Sequence, residues 1–252
     1  MRTRLVALGA STTYGCGHFF HVSSAAVEAL RRAAPCATEP TSYSLLAALF
    51  GTAIFRAQEA CGLAGGRMQR AAAAMTRFAV SASCKPRLLV SIIHTHHLRP
   101  PAAGRYIGNS FYPHPMCLAE PATGATAAGE FATAARQIWQ AHKDVDADLV
   151  DEFYAAVEAH PLAGTSFALH AAAQPGTLTV IDERHYNTGG VDFGDGGPTW
   201  VSGLARHLPN FVALMADPEQ EGGARVYASL GAATVDALLG DEFFTKHAVL
   251  MH

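Results

Sequence analysis

Leu45, Leu46, Leu49, Phe50 and Ile54 recur at helical spacing through SYSLLAALFGTAIFRAQEACG, residues 42–62. This periodicity predicts a long helix, and Gly62 is a natural stop for it. An apolar face of that length must be covered, so the rest of the chain has to supply a surface against it. Several short runs rich in β-branched residues can do so. CGHFFHV (16–22), RLLVSIIHT (87–95), GTLTVID (176–182), FVALM (211–215) and ARVYASL (224–230) read as strands.

Further helices are expected between them. Ser24 reads as the N-cap of a helix through Arg32, with Val27, Leu30 and Ala34 on one face. Phe131, Ala135, Ile138, Trp139 and His142 share a face of a second helix, and Val145, Leu149, Val150, Phe153 and Val157 a face of a third. AATVDALLG, ahead of DEFF, reads as the last helix. The Pro/Gly-containing stretch HLRPPAAGRYIGNSFYPHP (97–115) reads as a loop, and the segment EPATGATAAGE as a loop leading into a helix. Strands and helices that do not alternate strictly predict a layered α/β fold and exclude a Rossmann domain.

Composition narrows the class of function. The 252 residues include 18 Lys and Arg against 21 Asp and Glu, a net charge of −3, with no basic run or acidic tail. Nothing here suggests a nucleic-acid or anionic-membrane partner. No stretch approaches the roughly 18–20 continuous apolar residues of a membrane span, and the N-terminus lacks the apolar core of a secretory signal. A cytoplasmic location is therefore expected. Cys16, Cys36, Cys61, Cys84 and Cys117 stand singly, which argues for reduced thiols and against a disulfide framework or zinc knuckle.

Four constellations carry chemical possibilities. VDFGDGGPTW, residues 191–200, has glycines and aspartates but neither the G-x-G-x-x-G spacing of a dinucleotide loop nor the spaced carboxylates of a calcium loop. It reads as a turn in which glycine supplies positive φ or close backbone approach. His94, His96 and His97 place two imidazoles on one side of a strand, yet no third ligand is evident, so no metal site is expected. ALGASTTYG with DERH allows an SGNH-like serine hydrolase using Ser11, Asp182 and His185, although Ala10 stands where that pattern has Asp and no G-x-N-D block is present. HKDVD, His142 to Asp146, fits H-x-x-x-D, a string in which some acyltransferases keep a general-base histidine. Here it falls between two helices and lacks the following Gly.

Taken in order, these segments resemble the BAHD acyl-CoA-dependent acyltransferases, in particular the fungal trichothecene 3-O-acetyltransferase-like enzymes. YNTGGVDFGDGGPTW looks like the family's D-F-G-W-G signature. GHFFHVSSAAVEALRRAA resembles its strand-then-helix crossover, and TSYSLLAALFGTAIFRAQ its S-T-x-D-A-L helix. LLVSIIHTHHLRPPAAGRYIGNS resembles the strand leading to a Tyr-Phe-Gly-Asn turn, and LPNFVALMADPEQEGGARVYASLGAATVDALLGDEFF the closing strand–loop–strand–helix. The likeness runs from about residue 16 to 247 and covers only the family's crossover and C-terminal half.

The resemblance implies a chloramphenicol-acetyltransferase-like half-domain, a mixed β-sheet flanked by helices. It divides the chain into a crossover segment, 1–40, and an acyltransferase-like α/β domain, 41–252. It also implies transfer of an acyl group, often acetyl, from acyl-CoA to a hydroxyl or amine of a secondary metabolite, with acyl-CoA as co-substrate and no tightly bound cofactor. Asp192, Phe193, Gly194 and Gly196 would form a structural motif, and Tyr106, Asn109, Thr199 and Trp200 would line the substrate and CoA channel.

The chain departs from the pattern in stated places. Asp195 holds the position of the signature Trp, and Thr95 or His96 that of the arginine which pairs with the motif aspartate. Tyr43 and Ser44 follow Ser42 where the family helix has its aspartate. The half carrying the H-x-x-x-D-G histidine has no counterpart, leaving His142 and Asp146 as the candidate acyltransferase pair. A complementary N-terminal half or a homodimer is therefore an expected partner, beside the small-molecule acceptor, because the face of a lone half would otherwise meet solvent. A non-catalytic or truncated half-domain that binds a partner is one alternative, and the SGNH-like serine hydrolase using Ser11, Asp182 and His185 is the other.

Overall fold

The computed structural model describes residues 16–35, 39–62, 88–93, 111–116, 118, 123–159, 178–186, 192, 194–197 and 210–251. The strands are β1 (Cys16–Val22), β2 (Leu88–Ile93), β3 (Phe111–Met116), β4 (Leu178–Asp182), β5 (Phe211–Ala216), β6 (Ala224–Leu230) and β7 (Val249–Leu250). The helices are α1 (Ser24–Ala33), α2 (Ser42–Ala60), α3 (Ala127–Asp144), α4 (Ala147–Ala159), α5 (Ala232–Leu239) and the single turn α6 (Glu242–Thr245). The strands form one sheet in the order β3-β2-β4-β5-β6-β1-β7. β2, β4 and β5 run parallel, and every other neighbouring pair is antiparallel. This is the layered α/β fold expected from the segment pattern, with the mixed sheet and flanking helices that the resemblance implies.

The long helix is more deeply placed than its apolar stripe requires. Every residue of α2 from Tyr43 to Phe55 is buried, followed by Ala57 and Gln58. It lies on the sheet at β4 and β5 and is surrounded by α1, α3, α5 and α6. A helix buried on all sides needs apolar or small residues all round, which the run LLAALFGTAIF supplies. Thr41 caps it, its Oγ1 accepting from Ser44 N at 3.2 Å, and Gly62 follows its end at φ +68°. Phe20 of β1, Phe50 of α2 and Phe244 of α6 meet edge to face, with centroids 5.1–5.7 Å apart.

Arg56, near the end of α2, ties this layer together. Its Nη2 lies 2.6 Å from Asp241 Oδ2, and its Nη1 donates to Glu130 Oε2 at 2.7 Å. Asp241 also caps α6, accepting from Phe244 N at 2.9 Å.

Three expectations are corrected. The stretch 97–115 was read as loop throughout, yet Phe111–Met116 pairs antiparallel with β2, placing Pro113 opposite Ser91 and Pro115 opposite Leu89. Prolines two apart turn their nitrogens to the same side, and at the sheet edge that side can face away from β2 without breaking the ladder. The cap of α1 is Ser23, whose Oγ accepts from Ala26 N at 3.1 Å, and Ser24 is the first helical residue. Val145 is the C-cap of α3 and precedes α4.

The open apolar face expected of a half-fold is absent among the described residues. On the side of the sheet away from α2, Phe211, Ala213, Met215 and Tyr227 cluster with Phe19 and Ile181 and are buried. Gly17 belongs to this packing, since a Cβ there would lie 2.5 Å from Tyr227 Cε2. The large exposed hydrophobics among the described residues are Tyr186, Leu239 and Val249.

Candidate functional site

Because β2, β4 and β5 are parallel, their carboxyl ends gather on one edge of the sheet, and β1 ends there too. In open α/β sheets this carboxyl edge is where ligands are met. The sequence concentrates polar and ionisable side chains there. α2 runs opposite to these strands, so its N-terminus reaches the same edge: Tyr43 Oη donates to Val180 O of β4 at 3.2 Å.

Asp182 ends β4. Arg184 grips it with a fork, Nε to Oδ1 at 2.9 Å and Nη2 to Oδ2 at 2.7 Å, while its backbone N–H also donates to Oδ1. The same guanidinium donates from Nη1 to Ser42 Oγ at 2.9 Å, joining the end of β4 to the first turn of α2. Glu183, between them, continues the ladder by donating its N–H to Leu214 O at 2.8 Å. Burial pushes the Glu183 carboxyl above the ordinary carboxylate range, and the adjacent Asp182 charge adds to the rise.

His142, in the last turn of α3, packs edge-on against Tyr43 with centroids 4.9 Å apart. Its Nδ1 lies 2.8 Å from Ile138 O, and because a carbonyl only accepts, the proton sits on Nδ1. Burial lowers its pKa, against opposing contributions from that hydrogen bond and from Asp182. The result is a neutral imidazole beside the Asp182–Arg184 pair.

Farther along the edge stands a second network. His21 Nε2 lies 2.9 Å from Asp217 Oδ2, and Arg225 approaches Asp217 Oδ1 at 3.5 Å while donating to Glu219 Oε1 at 2.8 Å. Gln220 Oε1 accepts from Ser24 N at 3.0 Å. Together these bonds fasten the β5–β6 turn to the β1–α1 junction.

The H-x-x-x-D string is not assembled as a catalytic pair. Asp146 faces solvent and caps α4, its Oδ1 accepting from Leu149 N at 2.9 Å, while His142 belongs to the preceding helix. Asp182, read as the orienter of His185, gives both oxygens to Arg184, and His185 lies exposed against Tyr186 at 4.2 Å. The Asp192 side chain bonds within its own turn. Asp192 Oδ1 accepts from Gly194 N at 2.7 Å and Gly196 N at 3.0 Å, with the two glycines at φ +111° and +97°. Asp195 is exposed between them. Ser11, His94, Thr95, His96, His97, Tyr106, Asn109, Phe193, Thr199 and Trp200 lie outside the described residues.

Among the described residues no three His, Cys, Asp or Glu side chains stand together as a metal site. No described helix is long and apolar enough to cross a membrane. The residues missed from sequence were Arg184, Ser42 and Tyr43. The signal was present in part as an Asp-x-Arg pair at a strand end, but its partner lies 142 positions away.

Residues 70–242 match the family model described as "Transferase family". No curated protein matches the sequence. Among solved structures, F. sporotrichioides TRI101 complexed with coenzyme A and T-2 aligns at a TM-score of 0.65 and 17% identity, over 96% of this chain and 52% of that one. F. graminearum TRI101 complexed with coenzyme A and T-2 mycotoxin aligns at 0.55 and 17% identity, over 94% and 50%. Vinorine synthase aligns at 0.56 and 12% identity, over 90% and 46%. At these identities the likeness is one of fold, and the chain spans about half the length of the structures it matches.

Proposed function

The chain belongs to the transferase family of acyl-CoA-dependent BAHD acyltransferases, and from that premise we propose that it forms the C-terminal, acyl-CoA-side part of such an enzyme. The family match over residues 70–242 carries the reading, and the shared fold supports it. The proposed reaction moves an acyl group, commonly acetyl, from coenzyme A to a hydroxyl or amine of a small secondary metabolite. A base takes the proton of the acceptor, whose oxygen or nitrogen attacks the thioester carbonyl. The tetrahedral intermediate then collapses, and the thiolate of coenzyme A leaves and is protonated. Acyl-CoA is a co-substrate in this scheme, and no covalent enzyme intermediate forms.

The base is proposed to be the histidine of an H-x-x-x-D-G segment carried by a complementary N-terminal half. Asp146 caps a helix and does not hold the loop of His142. The Asp192–Gly196 turn has a scaffold role, and Tyr106, Asn109, Thr199 and Trp200 are proposed to face the channel. A non-catalytic half-domain is the second reading, favoured by Asp146 capping a helix where a catalytic pair would need it beside His142.

Two measurements decide between them. Calorimetry of the purified chain with acetyl-CoA should give one-site binding if the acyl-CoA side is formed. Co-expression with an H-x-x-x-D-G half should then give acetyl transfer to a small alcohol, and that transfer should vanish when the supplied histidine becomes Ala. Binding without transfer in the paired protein would favour the non-catalytic reading.

A further inference from the structure

We infer that Arg184 is a positioning residue for acyl-CoA binding, acting through the first turn of α2; this rests on the acyltransferase reading above. Three observations meet at this side chain. It sits at the carboxyl edge, where β2, β4 and β5 end side by side, the end of a parallel sheet at which ligands are met. It uses its guanidinium in two directions, a fork to Asp182 and a single bond to Ser42 Oγ. And its bonds join Asp182, the last residue of β4, to Ser42, the first residue of α2, 140 positions earlier in the sequence.

The geometry has a chemical consequence. With Asp182 neutralised in the fork, Arg184 adds little net charge to the edge, so its effect on an anionic ligand is through placement. Ser42 accepts from Arg184 and keeps its own O–H free to donate. The N-terminal turn of α2 carries the positive end of a 19-residue helix, whose position relative to β4 is fixed by this strut and by the Tyr43–Val180 bond. Lysine in place of Arg184 would keep the charge but could not make the fork and the Ser42 bond together.

The test uses the full chain with acetyl-CoA as the probe, read by calorimetry, with Tm and hydrogen exchange measured on the same samples. Arg184→Met should weaken acetyl-CoA binding about tenfold or more, Arg184→Lys should fall between it and the unsubstituted chain, and Ser42→Ala should cost a few-fold. Exchange should quicken in the first turn of α2 while β5 and β6 stay protected. If Arg184→Met lowers Tm but its folded fraction binds acetyl-CoA as tightly as the unsubstituted chain, Arg184 is structural only and the inference falls. Should Arg184→Met fail to fold, Ser42→Ala decides alone, and unchanged affinity there overturns the inference. If the unsubstituted chain does not bind acetyl-CoA, it is the proposed function that fails.

Discussion

The turn around Asp192 and the long helix α2 have opposite physical characters. Asp192, Gly194, Asp195 and Gly196 are exposed, with the Asp192 Oδ1 accepting from two N–H groups of its own turn. α2 is buried on every side from Tyr43 to Phe55 and touches both the sheet and four other helices. A short turn with glycines at positive φ restricts which residues can occupy it, which makes it recognisable, yet it contributes little burial. A buried helix tolerates many apolar sequences of similar volume and so identifies little, while its burial dominates stability.

The largest expected effect is therefore in α2. Phe50→Ala removes a fully buried ring that contacts Phe20 and Phe244, and should cost roughly 3–5 kcal/mol. For a chain of this length that lowers Tm by on the order of 10 °C in a calorimetric scan. A loss below about 1 kcal/mol would show that α2 is not the centre of the core. Next is Arg56→Met, which leaves Glu130 and Asp241 without their shared cation in a half-buried site. It should cost roughly 1–3 kcal/mol, less in high salt, by denaturant titration.

At the carboxyl edge the sign reverses. The raised carboxyl of Glu183 means that the folded state holds its proton more tightly than the unfolded chain does. Its contribution is fully present below the unfolded carboxylate pKa, about 4.5, and is lost as pH rises through the folded value. Glu183→Gln should accordingly raise Tm slightly at neutral pH and leave it unchanged in acid; a loss at pH 7 would mean that Glu183 has a favourable partner. The smallest effect belongs to the Asp192 turn. Asp192→Ala should change global stability by less than about 1 kcal/mol and show as faster amide exchange at Gly194 and Gly196. A Tm drop comparable to that of Phe50→Ala would erase the contrast between the two segments.

What could be read from the chain alone follows the same division. β1 and β6 begin and end where their residue patterns place them, and the stop of α2 at Gly62 was legible because periodicity and glycine chemistry are local. β3 was not, because two prolines read locally as a loop and only an edge position, a property of the assembled sheet, makes them compatible with a strand. Asp182 was assigned to His185 three positions on, whereas the fold turns Arg184 back onto it and reaches Ser42 across the chain. Asp146 matched a catalytic string and is a helix cap, since capping and acid–base motifs draw on the same side chains. At the carboxyl edge the sequence showed which polar residues were present, and only the fold shows which of them touch.

The prolines of β3 also bear on how this protein behaves at high concentration. A sheet grows into fibrils by recruiting strands at its edges, and recruitment requires free N–H donors in register. Pro113 and Pro115 remove two donors from one outermost strand, and at the other end of the sheet β7 offers only two residues. Among the described residues, β3 thus lacks two of the donors that a recruited strand would need, at one end of a sheet rich in apolar residues.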